Sequence, residues 1–422
     1  MEEGDLLWQP STAFAQASVI AAYIRWLRER KHLGFETYDQ LWSWSVTDLE
    51  AFWASIAEFF QVKFERPYER ILADRSMPGA GWFEGAELNY AENVFCRATP
   101  DCPALLYRSE QQALRSVSWA ELSREVASVA AGLREMGVRR GDRVVAFMPN
   151  IPETVVAFLA AASLGAVWSS CSPDFGAEAV LDRFAQIEPK VLFAVDGYSY
   201  AGKVFDKLPT VRELQRGLAT LTGTVLLPYV GSTASMPEHS TPWDGMAGRP
   251  DAELRFEAVP FDHPLWVLYS SGTTGLPKAL VHGHGGVVLE HLKVLGLHSN
   301  LRTGDRLFWY TSTGWMMWNF VVGGLLVGAT PVLYDGSPAY PDLNVLWRLA
   351  QDARFSLFGT SAAYITGCLK AGLTPGQSFD LSPLVCIGST GSPLPPEGFA
   401  WAYEAVKRDL WLASVSGGTD VV

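Results

Sequence analysis

Hydroxyl groups, glycines and a single lysine are crowded into the stretch from Tyr269 to Gly286, YSSGTTGLPKALVHGHGG. The candidate phosphate ligands in it are Ser270, Ser271, Gly272, Thr273, Thr274, Gly275 and Lys278. Glycines let the backbone approach a phosphate closely, hydroxyls donate hydrogen bonds to its oxygens, and a lysine supplies positive charge. These residue types therefore predict a phosphate-binding loop, although an ordinary solvated Ser/Thr/Gly loop has the same composition.

The loop differs from a Walker A loop, in which a Gly-Lys pair is followed by Ser or Thr. Here Pro277 precedes Lys278, and Ala279 follows it. A P-loop nucleoside triphosphatase is therefore disfavoured. The apolar run from Pro264 to Ser270 predicts a buried strand just before the loop, and ligands of open α/β sheets bind at the carboxyl ends of strands.

The elements that must position this loop alternate between strands and helices. Short apolar strands are predicted at 143–149 and 191–195, and helices at 151–164 and 178–187. A second alternating block begins near Leu265, and a hairpin is predicted around 105–118. Such alternation implies an α/β fold with mostly parallel sheets and right-handed crossovers.

The segment 1–65 is predicted to be a helical extension packed on the main domain. Thr47 and Glu50 have the spacing of a capping box, and the pair Ser118 and Glu121 predicts a second one. Residues 66–422 are predicted to form the main domain, with halves at roughly 66–260 and 261–422.

Composition excludes several classes of function. The chain has 422 residues, a formal net charge of -12 and a pI of about 5.1, which argues against a nucleic-acid partner. The five cysteines match no zinc spacing and predict free thiols in a reducing compartment. The acidic start MEEGDLLWQP does not read as a signal peptide, and the apolar run 155–168 is too short to span a bilayer. We therefore expect a cytoplasmic protein without a membrane partner.

The loop resembles the phosphate-binding signature of the adenylate-forming enzymes, the superfamily of acyl-CoA synthetases, luciferases and peptide-synthetase adenylation domains. Residues 270–278 match its pattern [ST]-S-G-[ST]-T-G-x-P-K throughout. Four further stretches resemble family segments in the same order: 82–94, 314–320, 386–397 and 417–420. The resemblance implies the large N-terminal domain of this family, with two α/β subdomains after the helical segment.

The resemblance also implies a reaction. A carboxylate attacks the α-phosphate of ATP, pyrophosphate leaves, and the thiol of coenzyme A displaces AMP from the acyl-AMP. Thr273, Thr274 and Lys278 are expected to hold the β- and γ-phosphates and Thr419 the α-phosphate; Asp420, which stands where the family usually has Glu, is expected to bind Mg²⁺. The remaining expected ATP contacts are Ser270, Ser271, Gly272, Gly275, Gly391, Ser392, Pro393, Ser414, Val415, Ser416, Gly417 and Gly418.

The acyl end departs from that of acetyl-CoA synthetases, where a tryptophan closes the pocket two positions before the motif threonine. Gly417 stands at that position and leaves room for more than a methyl group, although a glycine could also serve the turn alone. The other residues expected to line the pocket are Trp315, Met316, Met317, Asn319 and Thr390. Asn319 is a candidate hydrogen-bond donor to a ketone, and WMMW could equally be plain core. The expected acid is acetoacetate, with acetate, propionate or butyrate as alternatives.

Coenzyme A is expected over the segment 196–203, where Lys203 matches one family arginine and Tyr200 replaces another. The family continues beyond the Thr-Asp pair with a hinge and a small C-terminal domain that carries the catalytic lysine. The 422 residues alone are therefore expected to bind nucleotide more readily than to turn it over, and a nucleotide-binding fragment without catalysis is the alternative. His282 and His284 flank the loop without an assigned role.

Overall fold

The structure is a computed structural model that describes residues 4–232, 235–270 and 275–421. Its strands, in chain order, are β1 (Arg70–Asp74), β2 (Gly81–Glu84), β3 (Glu87–Leu88), β4 (Leu105–Ser109), β5 (Arg115–Val117), β6 (Arg143–Phe147), β7 (Val167–Cys171), β8 (Val191–Val195), β9 (Gly197–Tyr200), β10 (Lys203–Asp206), β11 (Gly223–Leu227), β12 (Ser240–Pro242), β13 (Val259–Pro260), β14 (Pro264–Ser270), β15 (Lys278–Gly283), β16 (Arg306–Trp309), β17 (Thr330–Asp335), β18 (Leu357–Ser361), β19 (Cys386–Thr390) and β20 (Trp411–Ser414).

The helices alternate with these strands from residue 119 onward. They are α1 (Thr12–Ala17), α2 (Val19–Trp26), α3 (Tyr38–Thr47), α4 (Leu49–Phe59), α5 (Tyr90–Phe95), α6 (Trp119–Glu135), α7 (Pro152–Ser163), α8 (Ala177–Phe184), α9 (Leu208–Gly217), α10 (Trp243–Ala247), α11 (His284–His291), α12 (Met317–Gly323), α13 (Val345–Ala353), α14 (Ala362–Lys370), α15 (Pro375–Ser378) and α16 (Pro396–Trp401). Short π-helical or 3₁₀ turns extend several of them, at Leu27–Lys31, Ala185–Ile187, Leu292–His298, Gly324–Val327 and Ala402–Val406.

Two seven-stranded sheets organise the molecule. The first has the strand order β12-β11-β8-β6-β7-β14-β15, and the second β20-β19-β18-β16-β17-β4-β5. Neighbouring strands within each sheet are parallel except at one edge, where β15 runs antiparallel to β14 and β5 runs antiparallel to β4. The predicted fold class, α/β with mostly parallel sheets behind a helical segment, is confirmed.

Each sheet takes strands from both sides of residue 260. The β14–β15 hairpin completes the first sheet, whereas the early β4–β5 hairpin joins the second through β17. The division of the main domain into two halves near residue 260 stays a prediction, because each sheet contains strands from both sides of that residue.

The capping box predicted at the start of α6 is confirmed. The Ser118 side chain accepts a hydrogen bond from the Glu121 backbone N–H, and the Glu121 carboxylate accepts one from the Ser118 N–H. The predicted core face of α6 is buried at Leu122 and Val126. Local side-chain chemistry thus fixes where this helix begins.

The capping box predicted at Thr47 is wrong. Thr47 is the last residue of α3, and its hydroxyl donates back to the Ser43 carbonyl oxygen. Asp48 caps α4 instead, because its carboxylate accepts a hydrogen bond from the Ala51 N–H. Asp48 is the single residue between α3 and α4, and the cap of α4 therefore lies one position later than the spacing predicted.

The core between the sheets is rich in aromatic side chains. Trp168, Trp266 and Trp318 are fully buried, and the ring of Phe158 on α7 lies 5.7–6.0 Å from all three. Helix α7 is buried along nearly its whole length, as its continuous apolar sequence predicts. Within the described residues, none of the helices combines the length and the apolar character needed to cross a bilayer.

Candidate functional site

The phosphate-loop sequence lies at the tip of the hairpin formed by β14 and β15. Ser270 is paired with Lys278 across the two antiparallel strands, and Gly275 has a φ of 126°, in the region that favours glycine. Lys278 is exposed at the beginning of β15. The predicted ligands Ser271, Gly272, Thr273 and Thr274 lie outside the described residues.

The hairpin is fixed to the helix layer beside it. The Gln186 side-chain amide donates to the Pro277 carbonyl oxygen at 2.9 Å, and the Tyr269 hydroxyl donates to the Arg183 carbonyl oxygen at 2.8 Å. Ser270 and Lys278 form the last pair of the hairpin before its connecting loop. Both residues therefore flank the loop that the sequence predicts to bind phosphate.

The turn that carries the expected ATP contacts Gly391, Ser392 and Pro393 follows β19 of the second sheet. Gly391 has a φ of 88°, which requires glycine or a strained residue. The Thr390 hydroxyl donates to the Val415 carbonyl oxygen, and the Val415 N–H donates to the Ser389 carbonyl oxygen, both at 2.8 Å. The turn after β19 and the segment after β20, predicted separately, are therefore held side by side.

Gly417 is exposed, and a Cβ atom added there would meet nothing within 4 Å. Its φ lies outside the left-handed region, so the backbone does not require glycine at this position. At Gly418, by contrast, an added Cβ would lie 2.2 Å from the Asp420 Oδ1 atom. The surroundings of position 417 are therefore open, and a role of Gly417 in the acyl pocket stays a prediction.

His282 connects the two halves of the site, a role that the sequence did not indicate. Trp266 Nε1 donates to His282 Nδ1 at 3.1 Å, and His282 Nε2 lies 3.3 Å from the Asp420 carbonyl oxygen. An indole N–H is only a donor, so Nδ1 accepts and Nε2 carries the proton that is donated to Asp420. Burial lowers the pKa of His282 and favours this neutral form. The histidine therefore ties the phosphate hairpin to the segment carrying Thr419 and Asp420.

The residues present fit a magnesium ion that is shared with a nucleotide. Asp420 is exposed at the edge of the site, and its carboxylate is the kind of hard oxygen ligand that Mg²⁺ takes. No set of three His, Cys, Asp or Glu side chains converges within the described part of the chain. Mg²⁺ is usually held by one or two carboxylates together with substrate phosphates, so a role of Asp420 as its ligand stays a prediction.

Four of the predicted acyl-pocket residues lie around the beginning of α12, whereas Thr390 ends β19 and Gly417 follows β20. Trp315 is partly exposed, Met316 is half-buried, and Met317 and Asn319 are buried. The Thr313 hydroxyl donates to the Met148 carbonyl oxygen, and Trp318 Nε1 donates to Asn150 Oδ1. These two bonds fix the start of α12 against the loop after β6, so Trp318 is core and not pocket.

The two predicted coenzyme A contacts, Tyr200 and Lys203, lie on the β9–β10 hairpin, and only Tyr200 lines a cavity. Tyr200 lines a cavity of about 390 Å³ together with Asp174, Tyr198, Tyr310 and Asp335. Lys203 pairs with Tyr200 across the β9–β10 hairpin but is not among the described residues that line the cavity. A role of both side chains with one ligand stays a prediction.

One residue that lines this cavity, Asp335, has a half-buried carboxyl group. The Tyr229 hydroxyl donates to Asp335 Oδ2 at 2.7 Å, and the Tyr107 hydroxyl lies 2.7 Å from that of Tyr229. Burial raises the pKa of Asp335 to about 7. Asp335 carries no motif signal, and only the fold places it beside Tyr229.

Comparison with known proteins agrees with this geometry. The profile of the AMP-binding enzyme family matches residues 93–416, and that of the acetyl-coenzyme A synthetase N-terminus matches residues 38–94. Acetoacetyl-coenzyme A synthetase of Rhizobium meliloti is 46% identical over 420 residues, which is 99% of this chain and 64% of the relative. A more distant relative, malonamoyl-CoA synthetase vrtB of Penicillium aethiopicum, is 33% identical over 99% of this chain and 62% of its own length.

The solved structure of acetoacetyl-CoA synthetase from Streptomyces lividans superimposes with a TM-score of 0.95 at 53% sequence identity. The match covers 99% of this chain and 65% of that chain. The chain thus spans a little under two thirds of the length of the proteins that it matches.

Proposed function

This chain belongs to the AMP-binding enzyme family, and we propose that the whole protein activates a short carboxylic acid with ATP and transfers the acyl group to coenzyme A. The observation that carries the proposal is the junction made by His282, which joins the phosphate hairpin to Asp420. It joins two segments, one at the edge of each sheet, that are expected to contact phosphate.

The first step brings two anions together. A carboxylate oxygen of the acid attacks the α-phosphorus of ATP, the bond to the β-phosphate breaks, and pyrophosphate leaves with the electron pair. The protein must position and neutralise charge in this step, and needs no covalent chemistry of its own. Lys278 and the loop hydroxyls would hold the outer phosphates, Thr419 the α-phosphate, and Asp420 the Mg²⁺ that neutralises phosphate charge.

In the second step the thiol sulfur of coenzyme A attacks the acyl carbon. AMP leaves, and the thiol proton is released. The cavity lined by Tyr200 and Asp335 opens between the two sheets and supports a route for the thiol-bearing arm. The five cysteines are free thiols, which supports a reducing, cytoplasmic setting for this chemistry.

We propose acetoacetate as the acid. The names of the relatives point to acids that carry a second carbonyl group on the β-carbon, acetoacetate and malonamate. The open space at Gly417 is consistent with an acid larger than acetate. Propionate, butyrate and acetate are the alternatives that the same space would admit.

The test compares acids in the full-length protein and in its Gly417→Trp variant, measured as pyrophosphate release. We expect kcat/KM to be highest for acetoacetate in the unmodified protein. The indole should then shift the acetoacetate-to-acetate ratio more than tenfold, because each displaced methylene-sized group is worth roughly 1–3 kcal/mol in discrimination.

Gly417→Ala is the matched control, since its Cβ meets no neighbour and the ratio should stay unchanged. The KM for ATP should change little in both variants. A uniform loss for both acids in Gly417→Trp, with a higher KM for ATP, would contradict the acyl-pocket role. Absence of any acid-dependent pyrophosphate release by the unmodified protein would instead favour a nucleotide-binding protein without catalysis.

A further inference from the structure

One carboxylate holds three segments of the chain together beside the cavity that Tyr200 lines. Glu110 follows β4, and its Oε1 atom accepts hydrogen bonds from the Ala201 N–H at 2.8 Å and from the Ser337 N–H at 2.7 Å. Its Oε2 atom accepts a third hydrogen bond, from the Gly202 N–H, at 2.8 Å. Charge-assisted hydrogen bonds of this kind are roughly twice as strong as neutral ones, so Glu110 connects these segments through strong contacts.

Two of the bonded residues form the tip of the β9–β10 hairpin. Tyr200 pairs with Lys203 at the ends of the two strands, which leaves Ala201 and Gly202 as a two-residue turn. Both turn residues have a positive φ, 53° and 74°, as in the type I′ turn that suits the twist of a hairpin. A left-handed conformation is unfavourable for alanine, so the bonds to Glu110 offset a local cost at this turn.

Two glycines allow the close contacts around this tip. A Cβ atom added to Gly202 would lie 2.7 Å from the ring of Tyr340, and one added to Gly336 would lie 2.5 Å from the Glu110 Cγ atom. The tip therefore contacts both Glu110 and an aromatic ring closely. Among the described residues, the hydrogen bonds from this tip to other elements all end on Glu110.

The segments that Glu110 connects belong to the wall of the cavity. Tyr200, next to Ala201, and Gly336, next to Ser337, both line the cavity of about 390 Å³. Tyr200 lies on the hairpin that follows β8 of the first sheet, whereas Gly336 follows β17 of the second sheet. Glu110 therefore sets the distance between two parts of the wall that come from different sheets.

The lining of the cavity indicates which part of a ligand it takes. Asp174 and Asp335 line it together with four tyrosines, and among its described lining residues there is no lysine or arginine. Carboxyl groups disfavour phosphate beside them, whereas an uncharged arm that carries amide groups can form hydrogen bonds with tyrosine hydroxyls. Lys203 is exposed and lies outside the lining. The cavity thus fits the thiol-bearing arm of coenzyme A better than its phosphates.

We propose that Glu110 is a positioning residue for the transfer of the acyl group to coenzyme A. Its carboxylate holds the tip of the β9–β10 hairpin against the second sheet, which keeps Tyr200 in the wall and the cavity open to the thiol-bearing arm. The inference rests on the proposed function and extends it to the second step of the reaction. The first step involves the β14–β15 hairpin and Asp420 in that proposal, so it should not depend on Glu110.

The hairpin has contacts of its own that do not involve Glu110. Strands β9 and β10 pair with each other, and the rings of Tyr198 and Phe205 stack with their centroids 5.0 Å apart. At the base of the hairpin, the Lys207 N–H donates to the Asp196 carbonyl oxygen at 2.8 Å. Loss of the Glu110 carboxylate is therefore expected to change the placement of the hairpin and not its internal structure.

The experiment measures the two steps separately in the full-length protein. Acetoacetate-dependent exchange of pyrophosphate into ATP, without coenzyme A, reports the first step, and thioester formation at varied coenzyme A concentration reports the second. Glu110→Ala should raise the KM for coenzyme A by ~10–100-fold, because all three hydrogen bonds are lost, and leave the exchange rate within about twofold. Glu110→Gln keeps one acceptor oxygen, so its KM for coenzyme A should rise by only about 3–10-fold. The Gln variant carries the comparison if the Ala variant does not fold.

Asp142→Asn is the matched control. The Asp142 carboxylate accepts hydrogen bonds from the Arg139 N–H and the Lys190 ammonium group, both at 2.8 Å. It precedes β6, whereas the cavity is lined by residues 149–150 beyond the other end of that strand. This variant should lower the melting temperature and leave the KM for coenzyme A unchanged.

Two results would overturn the inference. One is an unchanged KM for coenzyme A in both Glu110 variants, and the other is an equal loss of activity in the two steps, which would make Glu110 a general structural residue. Failure of the unmodified protein to catalyse the exchange or to form a thioester would instead contradict the proposed function, so the two failures are distinguishable.

Discussion

Lys278 is the first residue of β15, next to the loop of the β14–β15 hairpin, where it is paired with Ser270 and exposed to solvent. A lysine ammonium on a flexible stem acts on phosphate as a point charge, and its reach suits the outer phosphates of a nucleotide. It takes part in none of the ion pairs found among the described residues, so its charge is available to a ligand.

Replacing Lys278 with Ala should therefore weaken ATP binding and leave AMP binding nearly unchanged. Loss of a charge-assisted contact is worth about 1.5–3 kcal/mol, or roughly 10–150-fold in Kd for ATP. Titration of both nucleotides by calorimetry measures the difference. Lys370→Ala, at the exposed end of α14, is the control in which neither Kd should change. Equal weakening of ATP and AMP would mean that Lys278 supports the hairpin and not the phosphates.

At the scale of elements, the site depends on contacts between strands of different sheets. His282 lies on β15, at the edge of the first sheet, whereas Asp420 follows β20, at the edge of the second. One imidazole with two hydrogen bonds therefore connects the segment that carries Asp420 to the hairpin.

His282→Ala should raise the KM for ATP by roughly 5–10-fold, on the order of one net hydrogen bond, with a smaller change in the KM for the acid. His282→Gln should restore much of the loss, because its amide can both accept from Trp266 and donate to the Asp420 carbonyl oxygen. Steady-state kinetics of the two variants give this comparison. If the KM for ATP of His282→Gln is raised as much as that of His282→Ala, the imidazole ring of His282 fills space and does not act through its hydrogen bonds.

The sequence predicts those features that depend on neighbours along the chain. The capping box at Ser118 spans four residues, and the apolar runs of β6, β8 and β14 mark their strands directly. Asp48 was missed because Thr47 and Asp48 are both good capping residues where two helices meet. His282 was missed because its partner Asp420 is 138 residues away, and no local pattern encodes that contact.

At the scale of the whole molecule, a chain of hydroxyl and carboxyl groups crosses between the sheets. Asp335 ends β17 of the second sheet, Tyr107 lies on the neighbouring β4, and Tyr229 follows β11 of the first sheet. Burial raises the pKa of the Asp335 carboxyl group to about 7, so its protonated form is favoured in the folded state below that pH.

This protonation makes stability depend on pH. The folded pKa of Asp335, about 7, lies above the ordinary value of 3.8, so the stability that its proton supplies is fully present below about pH 4 and is lost as pH rises through 7. Asp335→Asn has no carboxyl group to ionise, so it does not lose this stability as pH rises. Its amide oxygen can still accept the hydrogen bond from the Tyr229 hydroxyl. We expect the variant to melt about 2–4 °C above the unmodified protein at pH 8 and close to it at pH 5. If the difference in melting temperature between the two proteins is instead the same at pH 5 and at pH 8, Asp335 is already charged in the folded protein at both pH values.

The position of the β4–β5 hairpin has a consequence for how the protein is made. This hairpin leaves the ribosome early, but β17, the strand against which β4 pairs, follows about 220 residues later. At translation rates of about 5–20 residues per second, that is a delay of roughly ten to forty seconds. During this time the backbone N–H and C=O groups on the inner edge of β4 have no native partner. A nascent chain in this state is a substrate for chaperones that shield unpaired strands, and slower translation between residues 109 and 330 should increase its aggregation.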